Sequence, residues 1–137
     1  MIDLRPLTLA DYDAALALWT ATEGMAISSA DEQPAIARYL ERNPGLSFAA
    51  WDGDTLVGAV LAGHDGRRGY LHHLAVSSPY RKQGVGTRLV EAALAALRQE
   101  GMEKVHLFIF ESNHLARAFW SRSGWRERHD IAIFTMG

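Results

Sequence analysis

The chain has 137 residues, 48% hydrophobic and 22% charged, which is the make-up of one folded domain with an ordinary core and excludes fibrous or disordered classes. A formal net charge of −2 supplies no broad basic field, so nucleic acid is not an expected partner and any anion must be held locally. Cysteine is absent, which excludes disulfides, thiolate metal sites and a cysteine nucleophile. No apolar run approaches the roughly 18 residues of a membrane span, and Met1-Ile2-Asp3-Leu4-Arg5-Pro6 lacks the apolar stretch of a signal peptide. A soluble cytoplasmic protein with no membrane partner is the expectation.

In chain order, Ile2 to Leu7 alternates apolar and polar residues and reads as a strand closed by Pro6. Thr8 with Asp11 forms a capping-box variant, and Tyr12, Ala15, Leu16 and Trp19 recur at helical spacing, so Leu9 to Thr22 is predicted as a helix. Glu23 to Ala30 lacks a period and reads as a loop. A second helix is predicted from Asp31 to Asn43, ended by Asn43-Pro44-Gly45. Strands follow at Ser47–Asp52 and Thr55–His64, joined by the hairpin signal Asp52-Gly53-Asp54. After the turn Asp65–Gly69 comes a strand at Tyr70–Val76 and then a long helix, Val85 to Glu100, stopped by Gly101. Its Val85, Leu89, Ala93, Ala96 and Leu97 share an inward face, while Arg88, Glu91, Arg98 and Glu100 face water.

Lys104–Phe110 is almost continuously apolar, as for a strand covered on both faces. The preceding strand–helix–strand order implies a right-handed crossover between parallel strands. A last helix is expected at Asn113–Ser123, ended by Gly124 and capped by Ser112, and Trp125–Met136 reads as one or two closing strands. No repeat, linker or low-complexity segment interrupts residues 1–137. The order β-α-α-β-β-β-α-β-α-β describes a single α/β domain with a mixed central sheet flanked by helices.

One stretch concentrates chemistry. Tyr80-Arg81-Lys82-Gln83-Gly84-Val85-Gly86-Thr87 joins a strand to the start of the long helix. A helix start carries unpaired backbone N–H groups and partial positive charge, and glycine admits close approach of a phosphate. A P-loop would need Lys-Ser or Lys-Thr after its last glycine, where Thr87-Arg88 stands. A dinucleotide fingerprint would need a small residue where Leu89 stands.

The spacing R-x-x-G-x-G from Arg81 to Gly86, after Leu74-Ala75-Val76, resembles the GNAT superfamily of acetyl-CoA-dependent N-acetyltransferases. The block Asn113-x-x-Ala116-x-x-Phe119-Trp120-x-x-x-Gly124-Trp125 is similar to that family's N-x-x-A-x-x-F-Y-x-x-x-G-F pattern, and the resemblance covers essentially the whole chain. It implies acetyl-CoA as cosubstrate, with Arg81, Lys82, Gln83, Gly84, Val85, Gly86 and Thr87 on the pyrophosphate. The backbone of Leu74, Ala75 and Val76 would lie along the pantetheine arm, where an amide can stabilise the thioester oxyanion. Asn113, Ala116 and Trp120 form one helical stripe toward the cofactor. Phe119 belongs to the same motif and, with Leu115, is expected to turn toward the core.

For catalysis, His72 is the candidate base. The serotonin-type acetyltransferases resemble this stretch and carry a catalytic histidine at the corresponding position, and an imidazole with pKa about 6.5 can accept an amine proton. The competing reading is a packed strand residue. By alternation His73 would face the other side, so at most one of the pair would reach the substrate. Tyr70 shares His72's face and matches a position where some family members carry a glutamate base; its phenol is better suited to a wall or a hydrogen bond. Two residues depart from the family pattern. Phe108 stands where many amino-terminal acetyltransferases of the family have a glutamate base, and Trp120 replaces the usual tyrosine acid. Indole N–H donates a hydrogen bond but no proton near neutrality, so the acid step has no residue.

His64, His106, His114 and His129 show no ligand spacing, and no metal is expected. Arg67 and Arg68 read as a solvated turn. The acceptor is expected between the first two helices and the strands after them, near Glu23–Asp31, Trp19 and Tyr39, where Glu23, Asp31 and Glu32 either attract a cation or form ordinary solvated surface. The leading reading is direct acetyl transfer from acetyl-CoA to a primary amine (small amine, amino acid or peptide N-terminus) in a ternary complex; the alternative is a non-catalytic acyl-CoA-binding or regulatory domain. Self-association is a habit of the family, and the Trp125–Phe134 segment is compatible with a homodimer.

Overall fold

A computed structural model describes all residues 1–137. Five strands, β1 (Ile2–Pro6), β2 (Phe48–Asp52), β3 (Thr55–His64), β4 (Gly69–Val76) and β5 (Val105–Leu107), lie side by side in that order. The first four pair antiparallel and β4–β5 pair parallel, as the intervening helix requires. The helices are α1 (Tyr12–Ala21), α2 (Gln33–Arg42), α3 (Val85–Gln99) and α4 (His114–Arg122). A 3₁₀ turn at Leu9–Asp11 leads into α1, and the Asp11 carboxylate accepts from the Thr8 N–H at 3.0 Å, as the capping box predicts.

Alternation along the central strands divides the core in two. Ala50, Val60, Ala62 and Leu71 pack with Val85, Leu89, Ala93 and Leu97 of α3. Ala49, Ala59, Leu61 and Ala75 pack with Tyr12, Ala15 and Trp19 of α1 and Ile36 of α2. The sheet therefore carries α3 on one face and α1 with α2 on the other. At Gly58 a Cβ would lie 3.0 Å from Leu89 and 3.3 Å from Val85, so glycine lets α3 seat directly on β3.

The C-terminal third departs from the sequence-based expectation. β5 covers Val105–Leu107 rather than Lys104–Phe110, and Phe108, Ile109 and Phe110 are exposed. Apolar composition does not make a strand by itself; backbone groups need a partner, and β5 has a neighbour on the β4 side alone. Trp125–Met136 forms no strand, and Ile131, Ile133 and Phe134 are exposed, so the last β of the expected order is missing. On α4, Leu115 is 79% exposed and does not turn toward the core, whereas Phe119 does pack against it. The cap of α4 is Asn113 rather than Ser112: its Oδ1 accepts the Ala116 N–H at 3.1 Å. No helix is long and apolar enough to cross a membrane.

Candidate active site

The site grows from an irregularity in β4. Ala75 pairs with Ala59 and His72 pairs with Leu61, so His73 and Leu74 together oppose Val60 in a β-bulge. His73 has φ +51°, a left-handed conformation that is strained for a side chain with a Cβ. The extra residue resets the alternation. Leu71 and Leu74 face the α3 side, while His72 and His73 both turn toward α1 and α2. The expectation that at most one of the two histidines reaches the site is therefore corrected; strand alternation holds only where the ladder is regular.

Each histidine has its own surroundings. The His72 ring meets Tyr39 edge-on at 6.1 Å, and burial lowers its pKa, with His73 pushing the same way and Asp31 opposing. The Tyr39 hydroxyl is buried without a hydrogen-bond partner, and desolvation pushes its pKa up. The His73 ring lies 5.2 Å from that of Trp19, whose indole N–H donates to the His73 carbonyl at 3.0 Å. His73 Nε2 sits 2.8 Å from Asp31 Oδ1. Asp31 is 5% exposed; its Oδ2 accepts the Ser28 N–H at 3.0 Å, and its backbone carbonyl accepts the Tyr12 hydroxyl at 2.6 Å. Of the three acids near the expected acceptor region, Glu23 and Glu32 are exposed but Asp31 is a buried partner of His73.

A cavity of about 300 Å³ opens beside the bulge, bounded by His72, His73 and Leu74 of β4 and by Asn113, Ala116 and Trp120 around α4. The predicted α4 stripe thus faces the same space as the β4 backbone. Phe108 and Phe110 form a further wall. Trp120 is held edge-on between Phe119 at 5.0 Å and Trp125 at 4.9 Å. Tyr70 does not line the cavity; its ring contacts His106 and Phe108 instead, at 5.8 and 6.1 Å.

The glycine loop joins β4 to α3. A 3₁₀ turn at Ser78–Tyr80 follows β4 and is tied down by the Tyr80 hydroxyl donating to the Asp52 carboxylate. Arg81 Nε donates to the Val76 carbonyl at 2.9 Å, and Gln83 Nε2 donates to the Pro79 carbonyl at 3.2 Å. Lys82 (φ +61°) and Gly84 (φ +81°) both adopt left-handed backbone ahead of α3, the conformation from which an anion nest of successive N–H groups is built. Arg81, Lys82, Gln83, Gly84 and Thr87 are exposed, whereas the Val85 side chain is buried in the core, so only its amide is available to a ligand. Gly86 faces the Phe119 ring, with a Cβ position 3.5 Å from it, and links the loop to α4. Ala75 is buried on the α1 face, leaving its backbone alone for the pantetheine arm. Main-chain donors, a helix start and two cations fit a pyrophosphate, and the cavity with its stripe fits a narrow acyl-bearing arm.

The sequence reading missed the His73–Asp31 pair and the Trp19 hydrogen bond. The adjacent His72-His73 was visible, but nothing in composition signals a bulge at that point.

The sequence matches the acetyltransferase (GNAT) family over residues 12–125. It is 33% identical over 92 residues to N-alpha-acetyltransferase 30 of Schizosaccharomyces pombe, a match spanning 64% of this chain and 61% of that one, less than two thirds of the relative's length. It is 29% identical over 112 residues to an acetyltransferase of Pectobacterium atrosepticum, covering 82% and 79% of the two chains. Its fold is shared with the PaiA N-acetyltransferase of Thermoplasma acidophilum, solved in complex with coenzyme A, at TM-score 0.76 and 16% identity over 89% of this chain and 87% of that one. The motifs and the family match agree, and the chain belongs to the GNAT acetyltransferase family.

Proposed function

We propose that the protein transfers the acetyl group of acetyl-CoA directly to a primary amine held beside His72. The observation that carries this reading is the convergence of His72, Leu74 and the Asn113–Ala116–Trp120 stripe on one cavity. In this reading Arg81 to Thr87 hold the pyrophosphate, with Val85 and Gly86 contributing amides. The backbone of Leu74, Ala75 and Val76 aligns the pantetheine arm, and Phe119 and Trp120 fix the helix that closes over it. An amide of the β4 segment stabilises the oxyanion as the amine attacks. His72 accepts a proton from the attacking nitrogen; its lowered pKa keeps the ring neutral at neutral pH. No tyrosine stands at the Trp120 position, so the sulfur leaves as a thiolate or takes its proton from water, which a thiol pKa of about 8.5 permits. Without cysteine a covalent acetyl-enzyme lacks its best nucleophile, which supports direct transfer in a ternary complex.

A non-catalytic acyl-CoA-binding domain is the second reading, supported by Phe108 and Trp120 at positions where relatives of the family carry a base and an acid. The acceptor class also belongs to the proposal: small amines, amino acids and peptide N-termini all satisfy the chemistry. Identification of acetylated product by mass spectrometry, after incubation with acetyl-CoA and a mixed amine panel, tests the reading. An acetylated amine supports transfer, whereas tight coenzyme A binding with no product from any amine supports the binding domain.

A further inference from the structure

The charge of the cavity lining narrows the acceptor. No aspartate, glutamate, lysine or arginine lines it, and its titratable side chains are His72 and His73. Burial lowers the pKa of His72, so that ring adds no charge at neutral pH. The acids close by in sequence are engaged or turned away. Asp31 is occupied at both oxygens, by His73 Nε2 at 2.8 Å and by the Ser28 amide at 3.0 Å. Glu23 and Glu111 adjoin the lining residues Gly24 and Phe110 in sequence, but both are exposed and neither lines the cavity.

The walls are apolar instead. Phe108, Ile109 and Phe110 follow β5 and bound the cavity, yet Phe108 and Phe110 are 56% and 57% exposed. Such surface gains from being covered by another apolar group. The Tyr70 ring supports Phe108 from outside the cavity, at 6.1 Å. Gly24, Met25 and Ala26 bound the cavity as well, and a Cβ at Gly24 would lie 2.6 Å from the Asn113 side-chain nitrogen. The loop between α1 and α2 thus meets the start of α4. The space left is about 300 Å³, which the acyl-bearing arm and the acceptor must share.

A charge taken from water to an apolar wall is costly unless a partner meets it. A second ammonium on the substrate would find no carboxylate here, and a substrate carboxylate would find no guanidinium or ammonium. Resting on the acetyl-transfer reading, we propose that the acceptor is a small primary amine on an uncharged alkyl or aryl body, which lies against Phe108 and Phe110 while its nitrogen meets His72. The one charge such a substrate brings is lost in the reaction. The ammonium gives a proton to water, the nitrogen forms the C–N bond as the C–S bond breaks, and the sulfur keeps that electron pair. The second N–H proton leaves through His72, so that one proton ends on sulfur and one in solvent. Phe108 is then a specificity-determining residue, an apolar wall that turns away a second charge. Polyamines, aminoglycosides and free amino acids carry such charges and are poor acceptors in this account.

The test is kcat/KM with acetyl-CoA for amine pairs that differ by one charge: hexylamine against cadaverine, and phenethylamine against phenylalanine. Wild type is expected to prefer the singly charged member of each pair by about tenfold or more. Phe108→Glu should cut the preference for hexylamine over cadaverine by about fivefold, because its carboxylate meets the second ammonium. The ratio within the pair is the readout, since a carboxylate there also accepts protons and changes both rates together. Phe110→Ala should lower kcat/KM for hexylamine by about fivefold, while ethylamine, with little body to bury, changes less than about twofold. Use of either charged member within about twofold of its partner overturns the proposal, as does a preference that Phe108→Glu leaves intact. Transfer to peptide N-termini but to none of the four amines overturns it as well. The wild-type pairs decide without any variant, and coenzyme A calorimetry checks that each variant is folded. Coenzyme A binding with no transfer to any acceptor overturns the acetyl-transfer reading itself, whereas transfer that ignores the second charge overturns this inference alone.

Discussion

The two faces of β4 are built for different tasks. On the α3 face, Leu71 and Leu74 join an apolar cluster with Leu89, Val90, Ala93 and Leu97. On the α1–α2 face the same strand presents His72 and His73 to Tyr39, Trp19 and the buried Asp31. One face gains stability from area removed from water, which is non-directional. The other depends on directional contacts, among them the 2.8 Å pair of His73 Nε2 and Asp31 Oδ1. On the proposed function, stability and chemistry are separated across the thickness of one strand, and substitutions on the two faces are predicted to show different symptoms.

The largest effect on folding is expected from Leu89→Ala. Leu89 is fully buried against β3, and removing it should cost about 3 kcal/mol in a denaturant titration through lost burial and the cavity left behind. Turnover per folded molecule should hardly change; a selective loss of turnover at unchanged stability would break the comparison. On the opposite face, His72→Ala should lower amine-dependent turnover by about 100-fold, the scale of a general base, while stability at neutral pH stays near wild type. Gly84→Ala should cost about 1–2 kcal/mol because φ is +81° there. Since Gly84 shapes the anion nest, the loss should appear as weaker coenzyme A binding in calorimetry. Trp19→Phe keeps the aromatic bulk and removes the donor to His73, with an expected cost of about 1 kcal/mol in the same denaturant titration.

A pH experiment sharpens the comparison at the smallest scale. Burial depresses the folded-state pKa of His72 below its unfolded value of about 6.5. As pH falls below that value the unfolded chain binds the proton more readily, so stability is present above it and is lost toward the folded-state pKa. Thermal unfolding should therefore show a falling midpoint below about pH 6.5, and His72→Gln should flatten part of that fall. No flattening would mean that the ring gains or loses its proton equally in both states.

What could be read in the sequence follows from what periodicity and spacing encode. The helix faces of α3, the hairpin at Gly53 and the glycine loop all depend on local pattern, and each stands where the pattern puts it. The Asn113–Ala116–Trp120 stripe follows from helical spacing in the same way and does line the cavity. The bulge was not legible, because it is decided by tertiary partners: Trp19 and Asp31 lie 54 and 42 positions from His73. The end of the chain failed for a related reason. Trp125–Met136, with Ile131, Ile133 and Phe134, reads as strand from its apolar residues, but strand formation needs hydrogen-bonding partners that composition does not specify. Tyr70 illustrates the limit for single residues, since it shares a face with His72 and yet turns to His106 and Phe108, away from the cavity.

The most direct test of the central claim is acetyl-CoA-dependent thiol release across a panel of small amines, amino acids and free-N-terminus peptides, with wild type and His72→Ala side by side. The account predicts release that requires both acetyl-CoA and an amine, and that falls by about 100-fold in the variant while coenzyme A binding is kept. Undiminished release by His72→Ala would remove His72 as the base, and coenzyme A binding without release on any amine would contradict acetyl transfer itself.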